Sequence, residues 1–524
     1  MDQPKTVVKS ATQFFFGTVL SRFSGFFREM ALGYWFGATP IIAAFLIAYR
    51  FSQLLRRLFG ESSLLSSFSP HFEALRAESP EKASQFFRDL FASLSTFLFL
   101  LVVLLEIVLF SCWKWGGGSQ ILFLTMVMLP GVIFVCLYAL FCALLQSEKK
   151  YFIPSAAPIL FNIVFLIAMW WVKDLPQTEA TLSLSIGVSL AFFVQWLAVL
   201  PPALPFLKGL DWFKTRLFAP ELRHMVAAMT FTIIGVGAVQ INSVVDSLFA
   251  RYADLAGPAY LYYAIRLYQL PLALFGIALS SALLPPLSRA FQQNDQDRYK
   301  TLLDFALTRS FGFIFPMMIG IFVVGDSLVN LTYGRGAFDA QATFETTMCL
   351  WGYALGLVPA VFVLLLAPAF YAQKDFKTPL YGSLWSVLIN FMLNIIMIFG
   401  LGWGSTSVAI ATSLAAFVNC FYLIAKLSKK IGPLFDKSTL LSFAKVSLCA
   451  LLGGAMTIAI GHYLVGGSLL FSSTLDFPRS LFQQLLRFFV QGGTFGLLFF
   501  SYAWMLRVRE VFQFLNNKDF NDTN

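Results

Sequence analysis

Charge is what this sequence has least of. Asp, Glu, Lys and Arg make up 12% of its 524 residues, about half the share that a soluble chain needs to cover its surface. That scarcity excludes a water-soluble globular enzyme of this length, but not a chain whose outer face is solvated by lipid. Histidine is nearly absent: His71, His224 and His462 are scattered and form no ligand cluster. The six cysteines (Cys112, Cys136, Cys142, Cys349, Cys420 and Cys449) lie in or beside apolar segments without CxxC spacing. Buried thiols are expected, with neither a disulfide frame nor a metal site. No Walker loop, no HExxH and no carboxylate pair inside an apolar run occurs, so nucleotide, zinc-hydrolase and general acid/base chemistry lack their residues. An enzyme acting on lipid-linked sugars stays open as an alternative. A cleavable signal peptide is missing too. Lys5 and Lys9 precede the first apolar run, but that run carries Arg22, Arg28 and Glu29 and lacks a small-residue cleavage site, so it reads as a retained first helix.

What is abundant is apolar length. The chain is 58% hydrophobic, with a mean hydropathy of +0.74. Runs over 91–105, 121–146 and 490–506 hold no charge across most of a span, where roughly 20 apolar residues cross a bilayer as a helix. The 60 phenylalanines read as lipid-facing bulk. The pattern predicts an all-α integral membrane protein of about fourteen spans, from 10–35, 40–60 and 89–112 through 257–284 to 440–466 and 483–506. Twelve or thirteen is the alternative, because the second and eighth are only partly apolar. Alternate connections, counted from the N-terminus, collect roughly 25 of the 37 Lys and Arg residues on one side, among them Lys149, Lys150, Lys208, Lys214, Arg216, Lys426, Lys429, Lys430 and Arg507. The net charge of +10 is therefore a topology signal that puts both termini in the cytoplasm, and no nucleic-acid partner is expected.

The sequence also repeats itself. Ala48-Tyr49-Arg50-Phe51-Ser52-Gln53-Leu54 aligns with Ala264-Ile265-Arg266-Leu267-Tyr268-Gln269-Leu270; Leu58-Phe59-Gly60 matches Leu274-Phe275-Gly276, and Pro70 matches Pro286, all at an offset of 216 residues. Two pseudo-symmetric six-helix lobes follow, 1–206 and 207–430, with two extra helices over 431–506 and a cytoplasmic tail over 507–524. Repeats of this kind are a transporter architecture, with the substrate held between the halves.

Charges inside spans are costly and tend to face a cavity or a partner. Here they are mostly arginines: Arg22 and Arg28 in the first helix, Arg50, Arg56 and Arg57 in the second, Arg266 in the eighth. Acidic partners are few, chiefly Glu29 and Glu61, and one Glu29 does not neutralise both Arg22 and Arg28. Arg50 and Arg57 have a structural reading, as paired or snorkelling side chains. A guanidinium presents a planar fork of donors that fits phosphate oxygens in pairs. Arg22 and Arg28 differ by about 120° on a straight helix. Gly25 between them allows a bend, or else the cavity is wide. The cargo this suggests is an anionic, lipid-linked one.

Ser21-Arg22-Phe23-Ser24-Gly25-Phe26-Phe27-Arg28-Glu29 resembles the SRxxGxxRD/E signature of the MurJ (MviN) family of lipid II flippases. So do Leu54-Leu55-Arg56-Arg57-Leu58-Phe59-Gly60-Glu61 with Phe68 and Pro70, Tyr263-Ala264-Ile265-Arg266-Leu267, Leu283-Leu284-Pro285, Tyr333-Gly334-Arg335-Gly336-Ala337-Phe338, Ala367-Pro368-Ala369-Phe370-Tyr371-Ala372 and Lys377-Thr378-Pro379. The resemblance runs in order along nearly the whole chain. It implies the multidrug/oligosaccharidyl-lipid/polysaccharide (MOP) exporter fold, with two lobes enclosing a cationic cavity and the last two helices forming a groove for the undecaprenyl tail. It implies that Arg22, Arg28, Arg56 and Arg266 are the essential cavity residues; Glu29 and Arg57 beside them join the substrate-binding candidates. That substrate is lipid II, moved by alternating access from the cytoplasmic to the outer leaflet of a bacterial inner membrane for peptidoglycan synthesis, beside possible cell-wall synthesis partners.

Three usually acidic positions are neutral here, Ala43, Ile265 and Gln269, which puts the family's charge network in question. A sodium coupling ion described for some members maps best onto Asp246, Asn390, Asn394 and Thr412, with Asn394 where a carboxylate is expected; helix-packing hydrogen bonds are the other reading. No other cofactor is expected. The rivals are an exporter of another undecaprenyl-linked oligosaccharide, a cation-coupled drug exporter of the same superfamily, and a non-transporting scaffold for cell-wall enzymes.

Overall fold

A small polar residue, often ahead of proline, opens many of the helices. Thr39 accepts a hydrogen bond from the Ile42 N–H ahead of Pro40 at 3.3 Å, and Ser79 accepts from Lys82 N–H ahead of Pro80 at 3.2 Å. Asp295 and Asp339 do the same for Arg298 and Ala342, at 2.9 and 2.7 Å. Several ends rely on a left-handed residue: Gly37 and Gly432, and, unusually for lysine, Lys149 and Lys374 at φ 59° and 58°.

A computed structural model describes residues 4–207, 214–217, 219–465 and 477–508, helical without a strand among them. Lys208, the tail expected beyond 508, and the side chains of Glu61, His224 and His462 lie outside the described residues. The chain packs as two units, Met1–Leu248 and Phe249–Asn524. The first holds α1 (Pro4–Phe36), α2 (Pro40–Arg56), α3 (Ser62–Glu78), α4 (Pro80–Trp115), α5 (Gln120–Ser147), α6 (Phe152–Ala156), α7 (Pro158–Val172), α8 (Gln177–Leu207) and most of α9 (Pro220–Ala253). The second holds α10 (Gly257–Pro271), α11 (Ala278–Gln292), α12 (Gln296–Tyr333), α13 (Ala340–Ala354), α14 (Leu357–Ala372), α15 (Lys377–Ile395), α16 (Thr406–Ile431), α17 (Lys437–Val465) and α18 (Leu481–Met505).

The second and eighth helices run further than expected. A π-helical turn, Arg57–Glu61, carries α2 into α3, and another, Leu272–Ile277, carries α10 into α11. Hydropathy falls where charges begin, but the backbone keeps its helical hydrogen bonds through a one-residue bulge. The two turns start and end within one residue of the 216-residue offset, and the caps Ser79 and Asp295 fall on it.

Eight helices among the described residues are long and apolar enough to cross a membrane, or ten if each of two bent helix pairs is one span. That measure does not reach the fourteen expected. α2 has only 17 residues before its π turn. Of the others outside that count, α1 carries Arg22, Arg28 and Glu29 and α18 carries Gln483, Gln484, Arg487 and Gln491, while most side chains in the first half of α9 lie outside the described residues.

Within the first unit α5 is the buried centre and presses on α8. A Cβ on Gly131 would lie 2.8 Å from the Ser189 Cα, so glycine permits the close backbone approach by which membrane helices associate. Phe68, Phe72, Phe86, Phe87 and Phe141 interlock beside it. Outward, Phe16, Leu20, Phe23 and Phe27 form an exposed stripe along one face of α1. Arg88 and Asp89 are buried together at the start of α4, where they tie down the segment that follows α8: Arg88 Nη2 donates to Lys214 O at 2.9 Å, and the Arg216 N–H donates to Asp89 Oδ1 at 3.2 Å.

In the second unit, α12, α17 and α18 share an apolar core of Ile319, Val323, Val446, Cys449, Ala450, Phe499 and Ala503. The Phe311 and Phe443 rings stack 4.2 Å apart beside it. All six cysteines are free; five are buried as expected, but Cys112 is exposed, because it lies at the far end of α4 on an outward face.

Candidate functional site

α1 runs through Gly25 as one uninterrupted helix, so Arg22 and Arg28 leave it on different faces. Arg28 points toward α7. Its Nη1 donates to Asn162 Oδ1 at 2.8 Å, its Nη2 is ion-paired with Glu29, and its guanidinium lies 5.4 and 5.8 Å from the ring centroids of Phe161 and Phe165. Asn162 is itself 4% exposed and donates from Nδ2 to Ser24 Oγ at 2.7 Å and to the Ser21 carbonyl at 3.3 Å. Arg28 is thus a preformed cation, oriented by an amide, a carboxylate and two aromatic faces.

Arg22 differs. It is exposed, and it has no hydrogen bond or ion pair among the described residues. Seven residues separate it from Glu29, about two turns, so the two share a face that is neither the exposed Phe stripe nor the side packed on α7. Glu29 is only 4% exposed and is committed to Arg28, which leaves the positive charge of Arg22 uncancelled.

The arginines of the second helix turn to α9. Arg50 Nη1 donates to the Ser243 carbonyl at 3.0 Å and to Ser247 Oγ at 2.7 Å. Arg57, exposed on the π turn, donates to Gln240 Oε1 at 3.2 Å. Arg56 is partly buried in the last turn of α2. In the second unit Arg266, at the repeat position of Arg50, sits 4.9 Å from the Tyr262 ring centroid and donates to that hydroxyl at 3.4 Å. The structure thus joins Arg28 with Glu29, and gives Arg50, Arg57 and Arg266 separate local partners. Arg50, left between a structural and a functional reading by sequence, is bound to the α9 backbone.

The candidate cation residues divide between the units. Asp246 accepts from Asn242 Nδ2 at 3.1 Å in the first. In the second, Asn390 Nδ2 donates to Thr412 Oγ1 at 3.1 Å, and Asn394 Nδ2 donates to Asn390 Oδ1 at 2.9 Å. These three are neutral and hydrogen-bond to one another, with the Asn390–Thr412 bond joining α15 to α16; alone they do not make the charged oxygen cage a cation favours. No group of three His, Cys, Asp or Glu side chains among the described residues is placed to hold a metal.

Sequence reasoning missed Asn162, Phe161 and Phe165, which lie more than 130 residues from Arg28. It also passed over Asp326 and Arg487, a buried ion pair of 2.7 Å between α12 and α18, although each is a charge within a span.

The fold is the one seen in solved membrane transporters of the MOP superfamily. A multidrug resistance MATE family transporter of that superfamily, in an inward-facing conformation, covers 79% of this chain and 95% of its own at TM-score 0.64 and 14% identity. A solved lipid II flippase MurJ in an inward closed conformation covers 94% and 99% at TM-score 0.75 and 24% identity. The chain belongs to the lipid II flippase MurJ family, whose profile matches residues 32–474. Among its relatives, the probable lipid II flippase MurJ of Chlamydia pneumoniae is 29% identical over 519 residues, 97% of this chain and 94% of the relative. The lipid II flippase MurJ of Burkholderia cenocepacia is 28% identical over 429 residues, 79% of this chain and 82% of the relative.

Proposed function

We propose that this protein flips lipid II from the cytoplasmic to the outer leaflet of the bacterial inner membrane, supplying peptidoglycan synthesis, and that it is a transporter rather than an enzyme. In this reading it has fourteen spans, two six-helix lobes and cytoplasmic termini; the matching π turns and caps of the two units support the repeat. Arg22, Arg28, Arg56, Arg57 and Arg266, with Glu29, are the residues that meet the pyrophosphate, and α17 and α18 carry the undecaprenyl tail.

The observation that carries the reading is the charge on α1. Glu29 offsets one arginine of the pair, and the other stays positive and exposed on a face apart from the exposed Phe stripe. A pyrophosphate supplies the missing negative charge. Binding removes the repulsion between guanidinium groups and lets the protein close on the cytoplasmic side; release outside restores the repulsion and resets it. The drive is the membrane potential: each negative charge carried outward gains about 2.3 kcal/mol per 100 mV. Collapse of the potential therefore slows the flux, and an unchanged flux counts against this drive. The proposed cycle has no cation-dependent step. A drug exporter would favour acidic walls, which the arginines of α1 and α2 oppose.

The test is depletion of the protein in its host, followed by an externally added enzyme that degrades lipid II. Lipid II becomes inaccessible from outside, and wild type but not Arg22→Ala restores access. Accessible lipid II together with accumulation of a different lipid-linked precursor transfers the assignment to that polymer.

A further inference from the structure

α18 carries a polar strip that its membrane setting does not explain. Gln484, Arg487 and Gln491 recur at intervals of three and four residues, which places them on one helical face. That face meets Asp326, Ser327 and Asn330 of α12. Arg487 Nη2 pairs with Asp326 Oδ2 at 2.7 Å, Ser327 Oγ donates to Gln491 Oε1, and Gln484 Nε2 donates to the Gly334 carbonyl at 3.1 Å and to Asn330 Oδ1 at 3.5 Å. Asn330 Nδ2 in turn donates to the Pro478 carbonyl just ahead of α18, at 3.0 Å. Asp326 is 6% exposed. The opposite face of α18 is apolar and open: Phe482, Leu486, Phe489, Leu497, Phe500 and Trp504 are all exposed.

In lipid, apolar contact does not by itself drive helices together or fix how far one slides along another, because the acyl chains are as apolar as the side chains. A charge pair does fix it. A one-turn slip of α18 would carry Arg487 from Asp326 to Asn330 or to Phe322 and strand both charges away from water. We infer that Asp326 and Arg487 are positioning residues for transport: they set the register of α18 on α12, and with it the placement of the apolar face that meets the lipid tail of the substrate. This rests on the lipid II reading for its cargo and on the geometry alone for the register.

The test uses the full chain in the depletion host, free of its native cysteines, with Val324→Cys and Gly492→Cys as a register probe. The Val324 Cγ1 atom lies 4.0 Å from where a Cβ on Gly492 would stand. Four versions are compared: the parent, Asp326→Asn, Arg487→Gln, and the exchange of Asp326→Arg with Arg487→Asp. For each, membrane abundance, cross-linked fraction and external access to lipid II are measured. Each single variant is expected to lose about tenfold or more in cross-linking yield and to lose lipid II access while still present in the membrane; the exchange restores both. Single variants that cross-link and flip like the parent overturn the inference, as does an exchange that restores abundance without register. If singles vanish from the membrane, recovery of cross-linking in the exchange still decides for the pair, and its absence decides against it. If the parent fails to restore lipid II access while cross-linking follows the pair, the flippase reading falls and the register assignment stands.

Discussion

Replacing Asn162 with alanine separates orientation of Arg28 from its charge. The amide is a neutral hydrogen-bonding group that holds the guanidinium, through a 2.8 Å bond from Arg28 Nη1, and it is anchored by Ser24 and the Ser21 carbonyl. Ser24 Oγ keeps a second bond to that carbonyl at 2.9 Å, so truncation orphans neither group. The cost is then mainly one hydrogen bond to a charged group, about 1.5–3 kcal/mol. If the bond pre-orients Arg28 for phosphate, that energy appears in binding, where about 1.4 kcal/mol is tenfold. Asn162→Ala is expected to bind lipid II about tenfold to a hundredfold more weakly than wild type, measured on purified full-length protein in detergent. Asn162→Asp keeps an acceptor but adds a second carboxylate beside Glu29; it binds weakly too, while remaining well folded. Wild-type affinity in Asn162→Ala, together with weak binding in Arg28→Ala, would refute the reasoning.

Other consequences follow from single contacts. Arg22→Gln is expected to change thermal stability by less than about 0.5 kcal/mol, since an exposed side chain without a partner loses nothing on replacement, yet to abolish complementation; a marked stability loss would show it to be structural. Gly131→Ala forces a Cβ to within 2.8 Å of the Ser189 backbone, and overpacking at about 1–3 kcal/mol should lower the melting temperature of the whole protein. Asp375, between α14 and α15, is pushed up by partial burial. Hydrogen bonds from Lys430 Nζ at 2.6 Å and from the Thr378 N–H and hydroxyl at 3.0 and 2.8 Å outweigh this and hold the carboxyl at about 2. A depressed carboxyl stabilises fully above its unfolded value, about 3.8, and loses that contribution as pH falls toward 2. Melting curves of wild type and Asp375→Asn should therefore differ by a constant amount from pH 5 to 8 and converge below about pH 4.

The sequence made most of the helices legible, and the reason is physical: in lipid, an uncharged run of about twenty residues has few options but to be a helix. It also showed where arginines stand along the first two helices. What it missed lies at boundaries and in contacts. The extension of the second helix to Glu78 escaped because hydropathy ends at the charges, whereas helical hydrogen bonding continues through the π turn. Asn162 escaped because a neutral amide on an apolar helix carries no signal until the fold sets it against Arg28. Gln484, Arg487 and Gln491 had a visible spacing, but its meaning required Asp326 of another helix. For the cation residues the sequence held an ion site and helix packing open, and the structure shows Asn390, Asn394 and Thr412 hydrogen-bonded to one another.

The most direct measurement is transport by the purified protein. Full-length chain is reconstituted into vesicles with labelled lipid II in both leaflets, and an impermeant reagent is added outside. Wild type should expose the inner-leaflet lipid II to the reagent, while Arg22→Ala and Arg266→Ala leave that pool protected. Protection that is equal with and without wild-type protein, or lost equally with the arginine variants, would contradict the account.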